Sequence, residues 1–125
     1  MATETLRPTG AGTYTEANTQ FPATGAHWDK VDESSADDDT TYVAQTTTTT
    51  TARDTYQLAD SSIGSGVINS VTVCARMKQT GDFNAADDVR VAIRTYGSIY
   101  WDTEKILTTS YADYSDTYTT NPDTL

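Results

Sequence analysis

The chain is short of leucine: only Leu6, Leu58, Leu107 and Leu125 occur among its 125 residues, alongside two methionines, three prolines and one cysteine. Helical cores draw on Leu, Ala, Glu, Lys and Met, so this shortage excludes an all-helical fold. Basic residues are also scarce, 8 against 18 acidic ones, giving a formal net charge of −10. Binding to nucleic acid or to an anionic membrane surface needs clustered Lys and Arg, so neither is an expected partner. No apolar run approaches the about 18 residues of a membrane span, and Met1-Ala2-Thr3-Glu4-Thr5 lacks the basic-then-apolar character of a secretory signal. The expectation is a protein that stays inside the cell or leaves by another route, such as within an assembled particle released by lysis.

Catalytic inventory is thin as well. His27 is the only histidine and stands beside Trp28, which predicts a hydrogen-bonded or surface imidazole rather than part of a triad or a multi-histidine metal centre. No Gly-rich phosphate loop with a following Lys is present, and Gly64-Ser65-Gly66 has no basic neighbour. Eighteen carboxylates always offer pairs, so any chosen pair is uninformative about glycoside hydrolysis. The sequence therefore assigns no catalytic, cofactor-binding or metal-ligating residue. Cys74 is alone, which rules out an intrachain disulfide, and its place in Val71-Thr72-Val73-Cys74-Ala75 predicts a buried or face-lining thiol.

What the chain has instead is threonine, 26 residues or roughly a fifth of the total, with eight tyrosines. Thr, Tyr and Val suit a pleated, half-buried surface. Residues 1–25, punctuated by Pro8, Gly10, Gly12, Pro22 and Gly25, read as an extended N-terminal arm or edge strand. Residues 26–125 read as one antiparallel β-sandwich domain, with Trp28 and Val31 as core anchors. Strands are expected from Thr40 to Ala44 and from Asp54 to Leu58. The run Thr46 to Thr51 has no alternation and reads as an exposed loop or polar edge. From Val67 to Met77 the odd positions form a dry face and Thr72, Cys74 and Arg76 a wet one. Gln79 to Asp88 is a connection. Val89 to Thr95 is a second alternating strand, and Gly97 turns the chain into Ser98-Ile99-Tyr100-Trp101 as a hairpin partner. Ile106 to Thr109 and Tyr111 to Thr119 close the set, with Tyr114, Asp116 and Tyr118 on one face. Seven to nine short strands at this spacing describe a sandwich.

Two stretches are site-like. Asp29, Asp32, Glu33, Asp37, Asp38 and Asp39 put hard oxygen ligands in a short segment, which makes Ca²⁺ the one candidate cofactor. The spacing lacks an EF-hand's central Gly and terminal Glu, so a solvated loop with a side-chain-capped turn, and no cofactor, is the expected reading. Tyr96, Tyr100 and Trp101, or Tyr111, Tyr114 and Tyr118, offer a stacking platform for glycans or, alternatively, core aromatics in a leucine-poor chain.

Several segments together resemble a group of short structural proteins of tailed phages and prophages. They are Thr3 to Pro8, Gly25-Ala26-His27-Trp28-Asp29-Lys30-Val31-Asp32-Glu33, Asp37 to Val43, Leu107 to Tyr111 and Thr120-Asn121-Pro122-Asp123. The resemblance spans nearly the whole chain and carries no catalytic signature. It implies a jelly-roll or lectin-like sandwich at the virion surface, as a capsid decoration, head-fibre or tail-associated protein. Copies of itself and other virion structural proteins are then the expected partners, in a homo-oligomer. Such proteins continue past Asn-Pro-Asp-Thr with an acidic, aromatic segment and a final strand; either that part lies outside this sequence or the sandwich is one strand short, and a missing strand would leave an edge open to strand addition from a neighbour's N-terminal arm. The alternatives are a carbohydrate-binding module and an extracellular filament subunit with the Thr run as a glycosylation platform.

Overall fold

The computed structural model describes residues 2–47, 51–64, 66–80 and 89–124. The chain is all-β, consistent with a β-sandwich. Eight strands are described: β1 (Pro8–Thr15), β2 (Thr19–Phe21), β3 (Tyr42–Ala44), β4 (Asp54–Leu58), β5 (Val71–Met77), β6 (Ala92–Thr95), β7 (Ser98–Trp101) and β8 (Ala112–Tyr118). The helical content is three single 3-10 turns, Trp28–Lys30, Asp38–Thr40 and Pro122–Thr124. The strands pair antiparallel as β1–β4, β2–β3, β5–β8 and β6–β7, each strand with one strand neighbour among the described residues. The chain divides into two compact units, residues 1–65 and 66–125, so the segments on both sides of position 25 belong to the first.

In the first unit the N-terminal segment is tied in along its length. β1 lies against β4 from Pro8 opposite Leu58 to Thr15 opposite Asp54, with irregularities between Pro8 and Gly10 and between Ala11 and Thr15. Proline is admissible because it opens the strand, where no ladder donor is needed. Gly12 is required by close approach: a Cβ there would overlap the backbone and hydroxyl of Thr55. The β1–β4 ladder is fastened at its end by Arg53, whose guanidinium meets both carboxylate oxygens of Glu16 at 3.0 Å and lies 3.8 Å over the Tyr14 ring. β2 and β3 pair Phe21 with Tyr42, and their rings stack at 5.6 Å.

The second unit contains the longest ladder, seven pairs from Val71–Tyr118 to Met77–Ala112. The period-two reading of this segment holds from Thr72 to Met77, while Val71, expected on the dry face, is exposed. Val73, Ala75 and Met77 are half-buried, whereas Thr72, Cys74 and Arg76 are exposed. On β8 the partner pattern matches, with Tyr114, Asp116 and Tyr118 half-buried and Asp113, Ser115 and Thr117 exposed. Thr72 and Thr117 share a hydrogen bond at 2.9 Å, and Arg76 meets Asp113 at 3.2 Å, as cross-strand neighbours should. β6 and β7 form a hairpin around Tyr96-Gly97, with φ of +47° and +83°. Positive φ at both positions is the type I′ geometry that matches strand twist. Glycine meets it freely, whereas Tyr96 occupies a region that side chains disfavour.

Several sequence expectations are corrected. The strand expected from Val67 begins at Val71, because β8 ends at Tyr118 and offers Val67 and Ile68 nothing to pair with; they are 88% and 78% exposed. The strand expected from Val89 begins at Ala92, Val89 making only an isolated bridge to Lys105. Ile106 to Thr109 is not a strand, and Ile106 lies 83% exposed. Thr40 closes a 3-10 turn instead of opening β3. Trp28 and Val31 are half-buried rather than core anchors, and the buried residue between them is Lys30. The centre of the Thr run, 48–50, and most of the connection after Gln79, 81–88, lie outside the described residues.

Candidate functional site

Asp54, the first residue of β4, is the most heavily used side chain of the first unit. One carboxylate oxygen accepts the backbone N–H groups of Glu16 and Ala17 at 2.9 and 2.8 Å. The other accepts the Tyr56 hydroxyl at 3.0 Å and lies 2.5 Å from Nδ1 of His27. An ionised carboxylate has no proton to give, so Nδ1 carries it and Nε2 is the acceptor when the ring is neutral. Burial, reinforced by Asp54, pushes the Tyr56 phenol well above its usual range. The expected hydrogen-bonded histidine is therefore present, and its role is to tie the turn at residue 27 to β4.

Beside this cluster lies an open concavity of about 280 Å³, lined by Ala11, Gln20, Gly25, His27, Trp28 and Tyr56 among others. Its wall is set by Gly25 at φ +90°, where a Cβ would come within 2.9 Å of both the Asp29 carboxylate and the Lys30 ammonium. Those two side chains form an ion pair, which lets a lysine sit only 7% exposed.

The acidic segment is distributed, not convergent. Asp29 faces Lys30. Glu33 and Asp37 both lie within hydrogen-bond distance of the Thr41 hydroxyl, at 2.5 and 2.8 Å. Asp37 precedes the 3-10 turn without a side-chain capping bond, and Asp38 adopts φ +52°. Among the described residues no group of three or more His, Cys, Asp or Glu side chains is arranged to hold a metal ion.

The aromatic candidates separate by face. Tyr100 is half-buried, with its hydroxyl donating to Asp123 at 2.6 Å. Trp101 is its neighbour on the strand and so points to the opposite face, 49% exposed. Tyr96 stands alone at the hairpin tip, 91% exposed. Tyr118 donates from its hydroxyl toward Asp102, at 2.6 Å, and the Tyr100 carbonyl. Tyr114 reaches the Ile106 carbonyl at 3.3 Å. Tyr111 lies under Arg76 and Lys78. Burial and then Asp102 raise the Tyr118 phenol, while the hydrogen bond to Asp123 raises that of Tyr100. Neither triplet forms one continuous platform.

Little is enclosed among the described residues, in line with the thin core that the low hydrophobic fraction predicts. Among the described residues Val91 is the one buried hydrophobic side chain. Phe21, Leu58, Ile63, Val67, Ile68, Val71, Tyr96, Trp101 and Ile106 are exposed. The low aliphatic content was the available signal, since a core needs apolar volume before it can need anything else. Cys74 is exposed on the outer face of β5. No helix among the described residues is long and apolar enough to cross a membrane. No protein-family model, curated protein or solved structure matches this chain.

Proposed function

We propose that this protein is a non-enzymatic structural subunit that works by packing against copies of itself and against other structural proteins. The observation that carries this reading is that, among the described residues, one hydrophobic side chain is buried and nine large ones are exposed. Apolar surface of that kind, with a single strand neighbour for each strand among the described residues, is surface that association removes from water. The resemblance to short phage structural proteins suggests where the assembly resides: the surface of a virion, as a capsid decoration or tail-associated sandwich of jelly-roll winding whose N-terminal segment contributes to subunit contacts. The net charge of −10 keeps free subunits apart until specific contacts form.

A second reading, a glycan-binding module, has the half-exposed Trp101 in its favour. Light scattering on the full chain at micromolar concentration separates the two. Self-association without added ligand is expected. A monodisperse monomer across that range, with glycan binding abolished by Trp101→Ala, overturns the structural reading in favour of the lectin. Electron microscopy of the source particle with antibody to this chain then distinguishes capsid, tail and filament.

A further inference from the structure

Residues 61–81, between Asp60 and Asp82, are the longest stretch of the chain without a carboxylate, and they carry Arg76 and Lys78. In a chain of net charge −10 such a segment brings less repulsion to a contact between two copies than the carboxylate-bearing segments do, although β8 lays Asp113 beside Arg76. The same stretch holds β5, whose one strand neighbour among the described residues is β8. Its other edge carries no strand pairing among the described residues, and an unpaired strand edge offers backbone donors and acceptors to a second chain. Val67, Ile68 and Val71, exposed by 88%, 78% and 39%, lie in the same stretch. We propose that β5 pairs antiparallel with β5 of a second copy, across a twofold axis at Cys74. This inference rests on the assembly reading and deepens it by naming the surface and the partner.

The register follows from face and length. A pairing that keeps half-buried residues on one side must match odd positions with odd and even with even. Cys74 is the middle residue of the seven in β5, so centring the pair there uses every residue of the strand. Val71 then faces Met77 of the second copy, Val73 faces Ala75, and Thr72 faces Arg76. No like charges stand opposite each other, and the half-buried faces of the two ladders fall on the same side. The result is a four-stranded sheet in the order β8–β5–β5–β8. An isologous contact of this kind closes on itself as a dimer. The two Cys74 residues come directly opposite, about 4.5–5.5 Å apart at Cα, which lies within the reach of a disulfide.

The test exploits position 72, where charge of either sign meets Arg76 of the second copy. Thr72→Glu and Thr72→Arg both forfeit the hydrogen bond to Thr117, so they differ only in sign. Sedimentation equilibrium on the full chain should show Thr72→Glu dimerising roughly 2- to 30-fold more tightly than wild type, and Thr72→Arg more weakly by a similar factor. Tightening by Glu runs against the general repulsion of an acidic chain, which makes it diagnostic. Treatment with diamide, which takes up the two thiol hydrogens, should yield a Cys74-linked dimer on a non-reducing gel that Cys74→Ser lacks. If Glu weakens association, or the two variants behave alike, or no cross-link forms while the wild type still associates, the β5 pairing is wrong and the assembly reading stands. If the wild type stays monomeric, both fall.

Discussion

The two units answer the same shortage of apolar side chains in different ways. The first buries a charge: Lys30 lies against Asp29, and Asp54 gathers two backbone amides, an imidazole and a phenol. The second buries an aliphatic residue, Val91, and has half-buried tyrosines whose hydroxyls end on carboxylates. A polar hub is directional and fails when one atom is removed. An aromatic frame keeps its apolar area when a hydroxyl goes and loses only the bond. The chain contains two tryptophans, Trp28 in the first unit and Trp101 in the second, so each mode of construction has its own reporter.

The sharpest break in the comparison is Asp54→Ala. Four donors lose their acceptor in a half-buried setting, and the Trp28 emission transition in urea should shift by about 3 kcal/mol of stability. A shift below about 1 kcal/mol would mean that the hub is ornamental. Tyr118→Phe should cost less, about 1.5–2 kcal/mol read from Trp101, because the ring stays packed and the loss is confined to one hydroxyl, shared between Asp102 and the Tyr100 carbonyl. A larger loss there than at Asp54 would reverse the contrast between the units. The smallest effect belongs to the exposed clamp. Hydrogen bonding to Arg53 holds Glu16 below its usual 4.5. Its contribution is therefore complete above that value and lost as pH falls through the lowered one. Acid titration of wild type should show the first unit weakening below pH 4.5, and Glu16→Gln should flatten that limb; an unchanged limb assigns the acid sensitivity elsewhere.

Strand chemistry was legible where each residue's role is set by its own neighbours. Asp54 to Leu58 and the 72–77 alternation are stated by β-branched and aromatic residues at period two, and both appear at those positions. Strand length was not legible, because it depends on a partner distant in sequence. Val67 and Ile68 have the right composition and lack a residue opposite them. The Asp54 hub was invisible for the same reason, since the β1–β4 register brings residues 16 and 54 together and His27 reaches them from a turn 27 residues away in sequence. Burial of Lys30 ran against its type, and only the adjacent Asp29 hinted that a charge there could be compensated. The aromatic candidates do not share one surface. Alternation placed Tyr100 and Trp101 on opposite faces, and the side-chain bonds of Tyr114 and Tyr118 used their hydroxyls inside the unit.

The hairpin at Tyr96-Gly97 bears on how this chain can change in length. Its turn sits beyond the last strand pair, Thr95–Ser98, and Tyr96 projects into solvent. Residues added in matched numbers to the two arms would lengthen the ladder outward and leave every existing pair from Ala92–Trp101 to Thr95–Ser98 in place, because register is counted from the base. The tip is therefore the point where the molecule can acquire an epitope, a tag or a new recognition loop at the entropic expense of loop closure alone.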